Sequence, residues 1–157
     1  PEQRGGSAAC SVIISGTHIG SPVVDEPNIL IAMNQPSYER FTPTVVKNGL
    51  VIYDTSIQSL NATAKEGVRQ IGFPAMELAN SLGVPKAANT ALLGAMVELG
   101  LIQVPLEMIL TALDKSFETR TDLIPKNRRI FEGAIQWVKE NNEKRLVSGC
   151  QSTIKTR

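Results

Sequence analysis

Histidine is nearly missing from this chain: among 157 residues His18 is the one example, and it stands in a glycine-rich loop. A nucleophile relay needs a histidine oriented by a third group, and no Gly-x-Ser-x-Gly elbow is present to carry a serine. Cys10 lies on a segment that reads as a strand, where a thiol serves as a small core residue rather than a nucleophile. Cysteine is scarce as well. Cys10 and Cys150 stand at opposite ends of the chain, and two isolated thiols match no zinc or iron–sulfur spacing. Neither sign of charge dominates: 16 Lys+Arg against 15 Asp+Glu leave +1, which gives no general reason to bind nucleic acid or an anionic membrane. No apolar run approaches the roughly 20 residues of a spanning helix, and no charged-then-apolar leader is present. These absences set the expectation of a cytoplasmic chain with reduced thiols. The complete phosphate-cradling motifs, Gly-x-x-x-x-Gly-Lys-Ser/Thr and Gly-x-Gly-x-x-Gly, are also missing.

What is present is a strand–helix alternation. Ala9–Ser15, β-branched at its centre, reads as a buried strand, followed by loop chemistry at Gly16–Pro22. Asn28–Met33 is a second strand, apolar enough for a sheet covered on both faces. It ends at Asn34-Gln35-Pro36, where a short helix starts and carries Tyr38 and Phe41 inward. Val45–Gly49 is a turn, Leu50–Tyr53 a third strand, residues 57–67 mostly loop, and Val68–Phe73 a short fourth strand.

Helical spacing takes over after Pro74. Met76, Leu78, Ala79 and Leu82 form one stripe, closed by Gly83 as a C-terminal cap. Ala87–Leu99 has almost no charge and reads as a buried helix, with Gly94 at its middle marking close approach to another backbone. Pro105–Phe117 carries the stripe Leu106, Ile109, Leu110 and Leu113. Pro125 to about Asn142 carries Ile130, Ala134, Trp137 and Val138. The fold class that follows is α/β: an open, mostly parallel, Rossmann-like sheet flanked by helices, with a helical C-terminal part. Residues 1–143 read as a single α/β domain, and 144–157 as a polar, basic tail that frays.

Four features invite a functional reading, each with a plainer one beside it. Arg4-Gly5-Gly6 combines a bidentate cation with a backbone that permits close approach; the plain reading is a surface turn. Asn34 and Asp54 fall at the carboxyl ends of strands, where ligands of open α/β sheets collect; the plain reading is a helix cap and a strand-ending turn. Lys126-Asn127-Arg128-Arg129 is either a solvated face or a docking surface for an acidic partner or a phosphate. His18 is assigned no role.

Read in order, several segments resemble the gamma subunits of 2-oxoacid:ferredoxin oxidoreductases. They are Arg4-Gly5-Gly6-Ser7-Ala8-Ala9-Cys10, Ile19–Asp25, Ile29-Leu30-Ile31-Ala32-Met33-Asn34-Gln35-Pro36, Gly49–Asp54, Pro74–Ala79 and Asn89–Ala95. The likeness runs from residue 2 to about 140. Family members begin with a strand and a Gly-x-Gly-Gly-Gln-Gly turn that this sequence lacks. Together with Pro1 in the first position, that sets the expectation of residues upstream.

The resemblance implies a subunit that is inactive alone, within an enzyme that decarboxylates a 2-oxoacid oxidatively to an acyl-CoA and passes electrons to ferredoxin. Thiamine diphosphate and the iron–sulfur clusters would belong to the catalytic alpha and beta and the iron–sulfur subunits. This chain would bind no cofactor alone, would dock on those partners and would help shape the approach of coenzyme A through Arg4, Gly5, Gly6, Asn34 and Asp54. The Ala-Met-Asn-Gln-Pro-Ser form of the second strand is most similar to the 2-oxoglutarate branch, with 2-oxoisovalerate and indolepyruvate members as alternatives. A purely structural assembly subunit and a free-standing nucleotide-binding regulator are the other readings.

Overall fold

A strand needs a laddered neighbour as well as β-branched residues, and the described residues satisfy both conditions three times. The structure, a computed structural model, describes residues 9–57 and 67–148, with side chains as far as Asn141. The chain divides after Phe73 into two compact units.

The first unit holds a three-stranded sheet of β1 (Ile29–Ala32), β2 (Leu50–Asp54) and β3 (Arg69–Phe73), in the order β1-β2-β3. Both pairings are parallel: Ile29 stands opposite Leu50, and Leu50 opposite Arg69. The middle place falls to β2, the strand buried over its first three residues, whereas β1 is buried only at Ala32. Leu50, Val51 and Ile52 are 3%, 0% and 0% exposed, as a strand covered on both faces requires. Full burial of such a side chain contributes about 1.5–3 kcal/mol.

Helix α1 (Gln35–Phe41) follows β1 directly. Asn34 caps it, its Oδ1 accepting the Ser37 amide at 2.9 Å, and Pro36 fits the first turn, where no N–H is needed. Tyr38 then packs into one core with Ala32, Val45, Val51 and Ile57, against which Leu30, Tyr53 and Val68 lie. Its ring meets Tyr53 edge-on at 5.8 Å, and its hydroxyl donates to Gln70 Oε1 at 2.6 Å. Phe41 is half-buried. The turn into β2 needs its glycine: a Cβ on Gly49 would stand 2.6 Å from Val45 Cγ1 and 2.9 Å from the Asn28 carbonyl oxygen.

One strand expectation fails. Residues 9–15 form no strand, and Val12 and Ile14 are each 76% exposed rather than buried. The β-branched run supplies propensity, but no described strand lies beside it, and propensity without a ladder does not hold a strand. Of the stretch 57–67, residues 58–66 lie outside the described residues.

The second unit is helical: α2 (Ala75–Ser81), α3 (Ala88–Glu98), α4 (Leu106–Lys115) and α5 (Ile124–Ser148). Gly83 closes α2 at φ +75°, the left-handed position a C-terminal cap requires. Met76 is 44% exposed, because α2 buries Ala75 and Ala79, one turn apart, and residue 76 is turned about 100° away. Leu106 is 45% exposed, one turn ahead of the packed pair Ile109 and Leu113 that meets Phe131. Helix α5 continues past the expected end near Asn142 to Ser148, since residues 139–148 contain good helix formers and no glycine or proline. The frayed tail expected after Lys144 is thus helical backbone to Ser148, and 149–157 lie outside the described residues.

Close approach of α3 and α5 organises this unit. A Cβ built on Gly94 would stand 2.5 Å from the Phe131 carbonyl oxygen and 3.1 Å from Ala134 Cβ. Thr90 and Asn127 lock the same pair of helices: the Thr90 hydroxyl donates to Asn127 Oδ1 at 2.8 Å, and both residues are buried. Gly94→Ala would gain about 1 kcal/mol of intrinsic helix propensity. The collision with rigid backbone outweighs this, at roughly 1–3 kcal/mol for overpacking. A net loss in the urea midpoint is expected, larger for Gly94→Val; unchanged stability in both variants would remove the close contact from this account.

Candidate functional site

Because β1 and β2 are parallel neighbours with Ala32 opposite Tyr53, their carboxyl ends deliver Asn34 and Asp54 to one rim of the sheet. The two residues come together there by topology, and each is engaged locally. Asn34 is exposed and holds the first turn of α1. Asp54 is 1% exposed. Its Oδ1 accepts the Ser56 amide at 2.9 Å and its carbonyl accepts the Ile57 amide at 3.0 Å, so the carboxylate organises the turn leaving β2. Thr55 donates its amide to the Phe73 carbonyl at 3.1 Å, which ties the same turn to the end of β3. Arg4, Gly5 and Gly6 lie outside the described residues.

Gly72 belongs to this rim and was missed in the sequence. A Cβ there would stand 2.9 Å from Tyr53 Cζ and from its hydroxyl oxygen, so glycine makes room for the hydroxyl end of that ring beside β3. The legible signal was a glycine inside a strand, which marks close approach.

Lys126–Arg129 is a mixed set rather than one basic face. Asn127 is buried and also donates from Nδ2 to the Leu123 carbonyl at 3.0 Å. Arg128 reaches α4, where its Nε and Nη2 donate to Asp114 Oδ1 and Oδ2 at 2.9 and 2.5 Å. This two-point hydrogen bond, with the guanidinium charge behind it, holds the Asp114 carboxyl below the usual aspartate range and raises Arg128. Lys126 and Arg129 face solvent.

His18 is exposed in its loop and Cys10 is an exposed free thiol. Among the described residues, no group of three or more His, Cys, Asp or Glu side chains could hold a metal ion. They therefore do not fit an iron–sulfur cluster, which needs about four close ligands. No described helix is long and apolar enough to cross a membrane.

Residues 1–137 match the model of the pyruvate ferredoxin/flavodoxin oxidoreductase family. The chain belongs to that family. It is 42% identical over 146 residues to the ketoisovalerate oxidoreductase subunit VorA of Methanothermobacter thermautotrophicus, covering 93% of this chain and 30% of that protein. It is 30% identical over 100 residues to the 2-oxoglutarate synthase subunit KorC of Methanocaldococcus jannaschii, covering 63% of this chain and 54% of that protein. The chain thus spans about a third to a half of the length of these curated relatives.

Two solved structures share the fold. One is a 2-oxoglutarate:ferredoxin oxidoreductase from Magnetococcus marinus with 2-oxoglutarate, coenzyme A and succinyl-CoA bound. It has a TM-score of 0.62 and 19% identity, over 72% of this chain and 20% of that one. The other is a keto/oxoacid ferredoxin oxidoreductase gamma subunit from Geobacter sulfurreducens, with a TM-score of 0.57 and 21% identity, over 69% and 62%. The parallel α/β architecture read from the sequence is the architecture these family structures share.

Two outcomes follow for the rim and the ion pair. Asn34→Ala should cost about 1 kcal/mol in urea unfolding, and Asn34→Asp should restore it, since either side chain caps a helix. Equal stability of all three would dismiss the cap. Asp114 has a depressed folded pKa, so its stabilisation is complete above the unfolded carboxylate range and is lost as pH falls through the folded value. The side chain is 29% exposed, so salt screens the pair and the effect is small. The stability gap between wild type and Asp114→Asn should therefore close on acidification and narrow in 1 M salt; a gap independent of both would discount the pair.

Proposed function

We propose that this chain is the gamma-type component of a 2-oxoacid:acceptor oxidoreductase that converts ketoisovalerate to its acyl-CoA and passes the electrons to ferredoxin. The observation that carries the reading is the 42% identity to the ketoisovalerate subunit over 93% of the chain. The gamma assignment draws on the motif order and on the fold shared with a gamma subunit. Thiamine diphosphate and iron–sulfur clusters, held by the companion subunits, supply the carbanion and electron chemistry when bound. This chain contributes no catalytic residue and works in the cytoplasm.

Its part is docking and the approach of coenzyme A at the carboxyl rim of the sheet. Arg4 offers a phosphate-binding fork, and Gly5 and Gly6 allow backbone to come close. Asn34 sets the first turn of α1 at that rim. Asp54, being buried, acts through the Thr55–Ser56 turn that it holds in place. A second reading keeps the same chemistry with 2-oxoglutarate as substrate. It is favoured by the Ala32-Met33-Asn34-Gln35-Pro36-Ser37 form of the strand end and by the 2-oxoglutarate relatives.

Purification of the tagged chain from its native cells tests the assignment. Thiamine-dependent and iron–sulfur subunits should accompany it, with ferredoxin reduction faster on ketoisovalerate than on 2-oxoglutarate; recovery without such partners would reject it. In the assembled enzyme, Arg4→Ala should raise KM for coenzyme A about tenfold, the loss of roughly one charged hydrogen bond. An unchanged KM would leave a purely structural subunit.

A further inference from the structure

Glycine follows asparagine once in this chain, at Asn48-Gly49. Such a pair can lose ammonia without an enzyme, because glycine has no side chain to shield its amide from the neighbouring carboxamide. Both partners are held in a particular way here. Asn48 is exposed, and among the described residues it alone of the non-glycine residues has a left-handed backbone, at φ 65°. Asparagine tolerates that region at the third place of a turn such as Val46–Gly49. The Gly49 amide is committed to this turn and donates to the Val46 carbonyl at 2.9 Å. The Asn48 amide donates to the Gly67 carbonyl and the Arg69 amide to the Gly49 carbonyl, each at 3.0 Å. The Leu50 amide donates to the Asn28 carbonyl at 2.9 Å, so the pair sits where β2 enters both of its ladders.

We propose that Asn48 is a site of spontaneous deamidation, closed while β2 is laddered and opened when the amino end of that strand detaches. In the reaction the Gly49 nitrogen bonds to Asn48 Cγ as the Cγ–Nδ2 bond breaks. The Gly49 proton leaves with the amino group as ammonia. Water then opens the succinimide at either carbonyl, to aspartate or to isoaspartate. The nucleophile is the nitrogen whose N–H the Val46 carbonyl holds, so attack needs that bond broken first. The isoaspartyl product runs its main chain through the former side chain, which adds one carbon before Gly49. The packing leaves little slack there. Even a Cβ on Gly49 would stand 2.6 Å from Val45 Cγ1 and 2.9 Å from the Asn28 and Val46 carbonyl oxygens. The extra atom shifts Leu50 against Ile29 and Arg69, its partners on either side. Detachment followed by isoaspartate formation is therefore one-way, because the strand does not regain its register.

Incubation of the purified chain in mildly alkaline buffer, with and without denaturing urea, tests this. Peptide mass spectrometry follows Asn48, and chromatography separates isoaspartate from aspartate. Conversion should be at least about tenfold slower in the folded chain, since only its open fraction reacts. Ile52→Val, a mild cavity in the middle strand, should speed the folded reaction about two- to tenfold. Asn48→Asp, the same charge without the extra carbon, should keep the wild-type urea midpoint. The isolated isoaspartyl chain should unfold at lower urea, with faster hydrogen exchange at 50–52. Equal conversion with and without urea overturns the gating, as does an Ile52→Val rate no faster than wild type. Absence of conversion in urea overturns the site itself. Equal stability of the isoaspartyl and Asn48→Asp chains overturns the one-way step.

Discussion

The parallel ladder through β2 is the constraint on which the first unit depends. A parallel strand can be satisfied only between neighbours that arrive by a crossover, and its side chains must be covered above and below. Leu50, Val51 and Ile52 meet that demand with side chains almost wholly withdrawn from water. Once they are placed, β1 and β3 are held in register on either side, and α1 is bound to return over the sheet because Asn34 caps it immediately after β1. Tyr38 then closes the core, with its polar end satisfied by Gln70. A buried tyrosine hydroxyl without such a partner would cost about 1–3 kcal/mol.

That arrangement explains why a chain with so few reactive side chains still presents a definable rim. Parallel strands end on the same side, so the residues after β1 and β2 become neighbours whatever their chemistry. Asn34 and Asp54 shape the rim by ordering backbone, the one at a helix start and the other in a turn. The rim is thus ordered backbone rather than a set of reactive side chains.

In the helical unit the organising contact is steric rather than polar. Gly94 admits the Phe131 carbonyl to a distance that any side chain would forbid, and Thr90 with Asn127 fixes the rotation of the same two helices. The buried Asn127 also shows why a basic run is a poor guide to a surface: helical rotation splits Lys126–Arg129 between core, ion pair and solvent.

Local chemistry was enough to place much of this in advance. The apolar run at Leu50–Tyr53, the cap and proline opening α1, Gly83 at a left-handed turn and Gly94 within an uncharged helix each have a single physical explanation that needs no distant partner. Other features depended on neighbours the sequence does not name. Residues 9–15 have the makings of a strand but lie beside no described ladder, and Met76 and Leu106 fit an apolar stripe but sit off or beyond the packed face. The close contact of Gly72 with Tyr53 and the Tyr38–Gln70 bond likewise appear only when separate strands are side by side. Backbone preference is local and was legible in the residues; burial and pairing are properties of two surfaces at once, and only the tertiary structure decided them.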